Sequence, residues 1–79
     1  MSDKEQFGIQ EASQIIGVQP HVLRYWEVEF PQLAPERDQQ GWRVYSRKEV
    51  DILLRIRELL YEGKHTIEGA RQELARELG

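Results

Sequence analysis

The stretch from Gly17 to Phe30 (Gly-Val-Gln-Pro-His-Val-Leu-Arg-Tyr-Trp-Glu-Val-Glu-Phe) constrains this chain more tightly than any other. Pro20 suits the first turn of a helix, where its fixed φ helps and its missing N–H is not needed. Phe30-Pro31 ends that helix, because the residue before a proline avoids the helical region. At about 100° per residue, Val22, Leu23, Trp26 and Phe30 fall on one apolar arc. His21, Arg24, Tyr25 and Val28 fall on the opposite arc. A cation, a phenol, an imidazole and an aliphatic group together are an odd choice for a face that only meets water. The pattern predicts a helix with one face in a core and the other against a partner.

What surrounds this helix must fit within 79 residues, enough for one small domain. The chain has no cysteine, so no disulfide can support so small a core, and structural zinc loses its commonest ligand. Much of the core area must come from two Trp, three Tyr and two Phe. The first residues, Met-Ser-Asp-Lys-Glu-Gln, contain no apolar run, so neither a signal peptide nor a membrane span is expected, and the expected location is the cytoplasm. Residues 1–6 are expected to be a disordered arm and residues 7–79 the folded domain. The net charge of -3 argues against nucleic acid if averaged over the chain, but its distribution matters more. Residues 1–40 hold three Lys or Arg against seven acids, whereas from Gly41 onward there are eight against seven, with Arg43, Arg47 and Lys48 close together. A local basic patch can bind phosphate whatever the global sign.

Ahead of the central stretch, Ile9, Ala12 and Ile16 follow helical spacing, which predicts a first helix from Phe7 to Ile16 closed by Gly17. Two helices joined by a short Gly-containing turn form a helix-turn-helix. Ser13, four residues before the glycine, is small where the two helices must approach. After Pro31, the turn signal Gln39-Gln40-Gly41 predicts a two-stranded hairpin, Leu33 to Arg37 against Trp42 to Tyr45. Alternation sets Arg43 opposite to Trp42 and Val44, with Trp42 either core at the base of the hairpin, the preferred place, or an exposed aromatic. Such a hairpin must pack on the helices to be stable, and in that place it is a wing. Ser46-Arg-Lys-Glu49 is a capping box that opens a third helix at Arg47. Its apolar residues, from Val50 to Tyr61, cover most of the circumference, so it should be central. Thr66 caps a fourth helix with a stripe of Ile67, Ala70, Leu74 and Leu78. That stripe still runs at Gly79, as it would for a helix ending there or for a fragment of a longer chain.

Catalysis finds no foothold. The two His residues are isolated, no Gly-rich loop follows a strand, and Ser13 and Ser46 have structural roles. No enzyme activity, metal or cofactor is expected.

The blocks Leu23-Arg-Tyr-Trp-Glu27 and Gly41-Trp-Arg-Val-Tyr45, with Phe7-Gly-Ile-Gln-Glu-Ala-Ser13 and Gly17-Val18, resemble the amino-terminal DNA-binding domain of the MerR family of bacterial transcription regulators. The resemblance runs from Phe7 to Leu78. It implies a mainly α, winged helix-turn-helix fold of four helices and a small β-hairpin wing. The second helix would lie in the major groove of double-stranded promoter DNA and the wing along the backbone. It further implies a homodimer in the full-length protein and regulation of transcription by promoter distortion, with RNA polymerase a candidate partner. Matching positions make Arg24 and Tyr25 backbone contacts and Lys64 a contact from a second wing. Arg43 is the strongest wing contact, with Arg37 and Tyr45 weaker ones, Tyr45 having packing under the hairpin as its alternative. Gln19, His21 and Val22 lie where the second helix first reaches base edges, to meet adenine, guanine and a thymine methyl respectively. The reading from a different class is an excisionase-like architectural or adaptor module that assembles with other proteins through its apolar third and fourth helices.

Overall fold

The computed structural model describes residues 6–79. Helix α1 (Ile9–Ile16) is closed by Gly17, whose φ of 86° lies in the left-handed region where a Cβ is costly. The N–H groups of Gly17 and Val18 both donate to the Ser13 carbonyl, at 2.8 and 3.1 Å. This doubly bonded turn redirects the chain into α2 (Pro20–Glu29), with Pro20 at its first position as expected. Ser13 is buried, and its hydroxyl donates to the Gln10 carbonyl at 2.8 Å, so a polar atom at the close approach is satisfied within its own helix.

Beyond α2 come strands β2 (Glu36–Arg37) and β3 (Arg43–Ser46), then α3 (Arg47–Arg57), a π-helical turn (Glu58–Glu62) and α4 (Ile67–Leu78). The capping box at Ser46 is formed in both directions. Its Glu49 does more than cap. Nearly buried, it accepts the Ser46 N–H at 3.2 Å on one oxygen and the Ala34 N–H at 2.8 Å on the other. One carboxylate thereby joins the start of α3 to the loop that leaves α2. The core gathers Phe7, Leu23, Trp26, Phe30, Tyr45, Leu53, Ile56 and Leu74 around α3, which is central as its broad apolar surface requires.

Three features depart from the expected local structure. A strand β1 (Gln6–Gly8) replaces the first turn of the expected first helix and pairs antiparallel with β3, Phe7 opposite Tyr45. The sheet therefore has three strands in the order β1-β3-β2. Gln6, assigned to the disordered arm from the sequence, pairs with Ser46; the rest of that arm lies outside the described residues. Pairing both edges of β3 satisfies backbone groups that a two-stranded hairpin would leave open, and it buries Phe7 beside Tyr45. The hairpin is also shorter than expected. Only Glu36 and Arg37 pair with Val44 and Arg43, while the Ala34 N–H is diverted to Glu49. Finally, α3 widens over Glu58–Glu62, where the Gly63 N–H reaches the Glu58 carbonyl. Tyr61 emerges exposed, its ring tilted against Trp26 at 6.3 Å. No described helix is long and apolar enough to cross a membrane.

Candidate nucleic-acid interface

Helix α2 divides as its periodicity requires. Leu23 and Trp26 are buried, whereas His21, Arg24, Tyr25 and Val28 are exposed, Val28 to 80%. Gln19 precedes the helix in an extended conformation and is exposed. Its side chain makes no capping bond, and its carbonyl accepts the Val22 N–H at 2.9 Å. Val22 is half-buried and packs against the core, so it offers only part of its side chain outward. Arg24 forms no ion pair with any described residue, which leaves its guanidinium available.

Among the described residues one ion pair joins the wing to this helix. Arg43 Nε donates to Glu27 Oε2 at 2.6 Å, with both side chains about three-quarters buried. Glu27 lies three residues after Arg24 on the same helix but turns to the wing instead. Across the hairpin, Arg37 is the register partner of Arg43, and its Nη1 donates to the Gly41 carbonyl at 2.9 Å. Asp38 closes the wing turn by accepting the N–H groups of Gln40 and Trp42, both at 2.9 Å. Gly41, with φ of 86°, supplies the left-handed residue the turn needs.

The face of β3 that turns inward is the reverse of the one expected. Tyr45 is fully buried, and Arg43, two residues earlier on the same side of the strand, leans onto α2. Trp42, with the core as its preferred place from the sequence, is 66% exposed. Tyr45, expected to touch the DNA backbone, has no surface with which to do so, and its hydroxyl has no hydrogen-bond partner among the described residues. The reason is cross-strand packing: Tyr45 pairs with Phe7 on the inner face, a contact that exists only because β1 joins the sheet. Burial pushes the Tyr45 phenol up to about 12; the Glu27 carboxylate adds to the rise and the Arg43 guanidinium opposes it.

Lys64 is exposed in the turn before α4 and is the one non-glycine described residue with positive φ, at 54°. Helix α4 supports α2 from behind. Arg71 Nη1 donates to the Glu29 carbonyl at 2.9 Å and approaches the Glu29 carboxylate at 3.6 Å. Helix α2 has no basic residue in its own last turn, so this cation from another helix complements its C-terminal dipole. Among the described residues no cluster of His, Asp and Glu is placed to hold a metal ion.

The sequence-predicted residues thus lie on three elements: Gln19 just before α2 with His21, Arg24 and Tyr25 on it, Arg37 and Arg43 on the wing, and Lys64 on a separate turn. Glu27 joins this set as a residue that the sequence pattern did not single out. The available signal was a carboxylate one turn after Arg24, on a helix whose other exposed groups suit an anion.

Comparison with known proteins agrees with this architecture. The chain is 31% identical over 65 residues to the HTH-type transcriptional repressor CarH of Myxococcus xanthus, covering 82% of this chain and 22% of CarH. Its fold matches a crystal structure of HiNmlR, a MerR family regulator lacking the sensor domain, bound to promoter DNA, with a TM-score of 0.77 and 19% identity. That match covers 92% of this chain and 55% of the other. The chain thus spans about a fifth of the one relative and about half of the other. Residues 7–77 match the MerR HTH family of regulatory proteins, and the chain belongs to that family.

Proposed function

We propose that this domain binds double-stranded promoter DNA and regulates transcription through it, with α2 in the major groove and the wing on the phosphate backbone. The observation that carries the reading is the joining of two elements that bear cationic side chains, α2 with Arg24 and the Arg37–Arg43 wing, by the Glu27–Arg43 contact. Arg24, Tyr25, Arg37, Arg43 and Lys64 serve as backbone contacts, and counterion release makes the affinity fall steeply with salt. Gln19 and His21 read base edges at the start of α2, and the exposed part of Val22 meets a thymine methyl. Tyr45 takes no part.

The reading is tested by selecting binders from a randomised duplex library and measuring variants on the selected sequence. Arg24→Ala weakens all duplexes together, whereas His21→Ala relaxes preference at one or two positions. Equal, salt-insensitive retention of DNA by both variants refutes it.

A second reading, assembly with other proteins, is favoured by the exposure of Tyr61 and Leu78 near the end of α3 and on α4. Amide-shift changes confined to residues 54–78 on adding duplex, with residues 19–28 silent, would favour it over DNA binding.

A further inference from the structure

A carboxylate is a poor neighbour for a phosphate backbone, yet Glu27 lies on the recognition helix beside the wing. Its placement makes sense through Arg43. The guanidinium is held by Nε alone, at 2.6 Å, and neither Nη group is hydrogen-bonded to a described residue. The two Nη groups form a fork that fits a pair of phosphate oxygens. A free arginine must lose much of its rotamer freedom to make such a contact, and one held beforehand has already lost it. This is also the one ion pair joining α2 to the wing among the described residues. Beneath it, the Tyr45 hydroxyl makes no hydrogen bond that could hold the wing in its place. The like-charged Arg37 across the hairpin, left unopposed, would push Arg43 aside.

We propose that Glu27 is a positioning residue for DNA binding. It fixes the Arg43 fork toward phosphate and sets the wing at one spacing from α2. The inference rests on the DNA-binding reading above and adds to it a residue that touches no DNA.

Two variants separate position from charge. Glu27→Gln and Glu27→Ala remove the same negative charge, but only glutamine keeps an acceptor for the Arg43 Nε–H. Affinity for a labelled mixed-sequence duplex is measured by fluorescence anisotropy over a salt series, with circular dichroism and thermal midpoints as a check on folding. Glu27→Ala is expected to bind roughly fivefold to tenfold more weakly than Glu27→Gln. That gap is expected to vanish in an Arg43→Ala background. In the unmodified chain, which carries no folding risk, the Arg43 Nε–H resonance is expected to stay protected from exchange when duplex is added. Equal affinities for the two Glu27 variants, a gap that persists without Arg43, or loss of Nε–H protection on binding each overturns the proposal while leaving DNA binding intact. Failure of the unmodified chain to bind any duplex overturns the DNA-binding reading itself, and this inference with it.

Discussion

Arg37 and Arg43 stand directly opposite each other across the wing hairpin. Like charges in this register repel, by roughly 0.2–1 kcal/mol, and each is held by a separate acceptor: the Gly41 carbonyl for Arg37 and Glu27 for Arg43. Arg37→Ala removes the repulsion together with the Gly41 bond, so stability should change by no more than about 0.5 kcal/mol. The salt dependence of duplex binding should lose about one unit of slope. Thermal melts and binding isotherms at several salt concentrations check both.

Tyr45→Phe should leave duplex affinity unchanged, because the phenol is buried under the wing. Removing an unpartnered hydroxyl should be neutral or raise stability by about 1 kcal/mol in chemical denaturation.

The same phenol predicts a pH response. Its folded value of about 12 lies above the ordinary 10.0, so the unfolded chain loses the proton first. Stability is fully present below pH 10 and declines as the pH rises toward 12, by roughly 2–3 kcal/mol. Denaturation of the parent and Tyr45→Phe across that window should show the decline shrinking in the variant.

Gly17→Ala tests the turn between α1 and α2. A Cβ there would meet nothing within 4 Å, yet φ is 86°. The cost is therefore conformational, about 1 kcal/mol. A much larger loss in urea titration would point to a packing clash that the geometry does not contain.

Arg71→Ala should destabilise the domain by roughly 1 kcal/mol, since it removes the cation and donor at the C-terminus of α2. Amide exchange should speed up first in the last turn of α2. Arg71→Lys should recover part of the loss.

How much was legible beforehand depended on the range over which each signal acts. Gly17 with Pro20, the two arcs of α2, and the Ser46–Glu49 capping box all work within a turn or two of backbone. They could be read from residue types and spacing alone, as could the central place of α3, whose apolar surface leaves few alternatives. The exposure of His21, Arg24, Tyr25 and Val28 followed from the same periodicity.

Pairings between distant segments were decided only in the tertiary structure. Phe7 joins a strand because β3 offers an open edge, and that pairing determines which side of β3 is buried. A strand alternates with a period of two, so a change of inner face exchanges every side chain at once. That exchange put Tyr45 in the core, left Trp42 in solvent and leaned Arg43 onto α2. The carboxylate that receives Arg43 lies 16 positions away, beyond the reach of any helical or strand period. The sequence by itself determined a helix with a face to offer; the sheet determined what stands beside it.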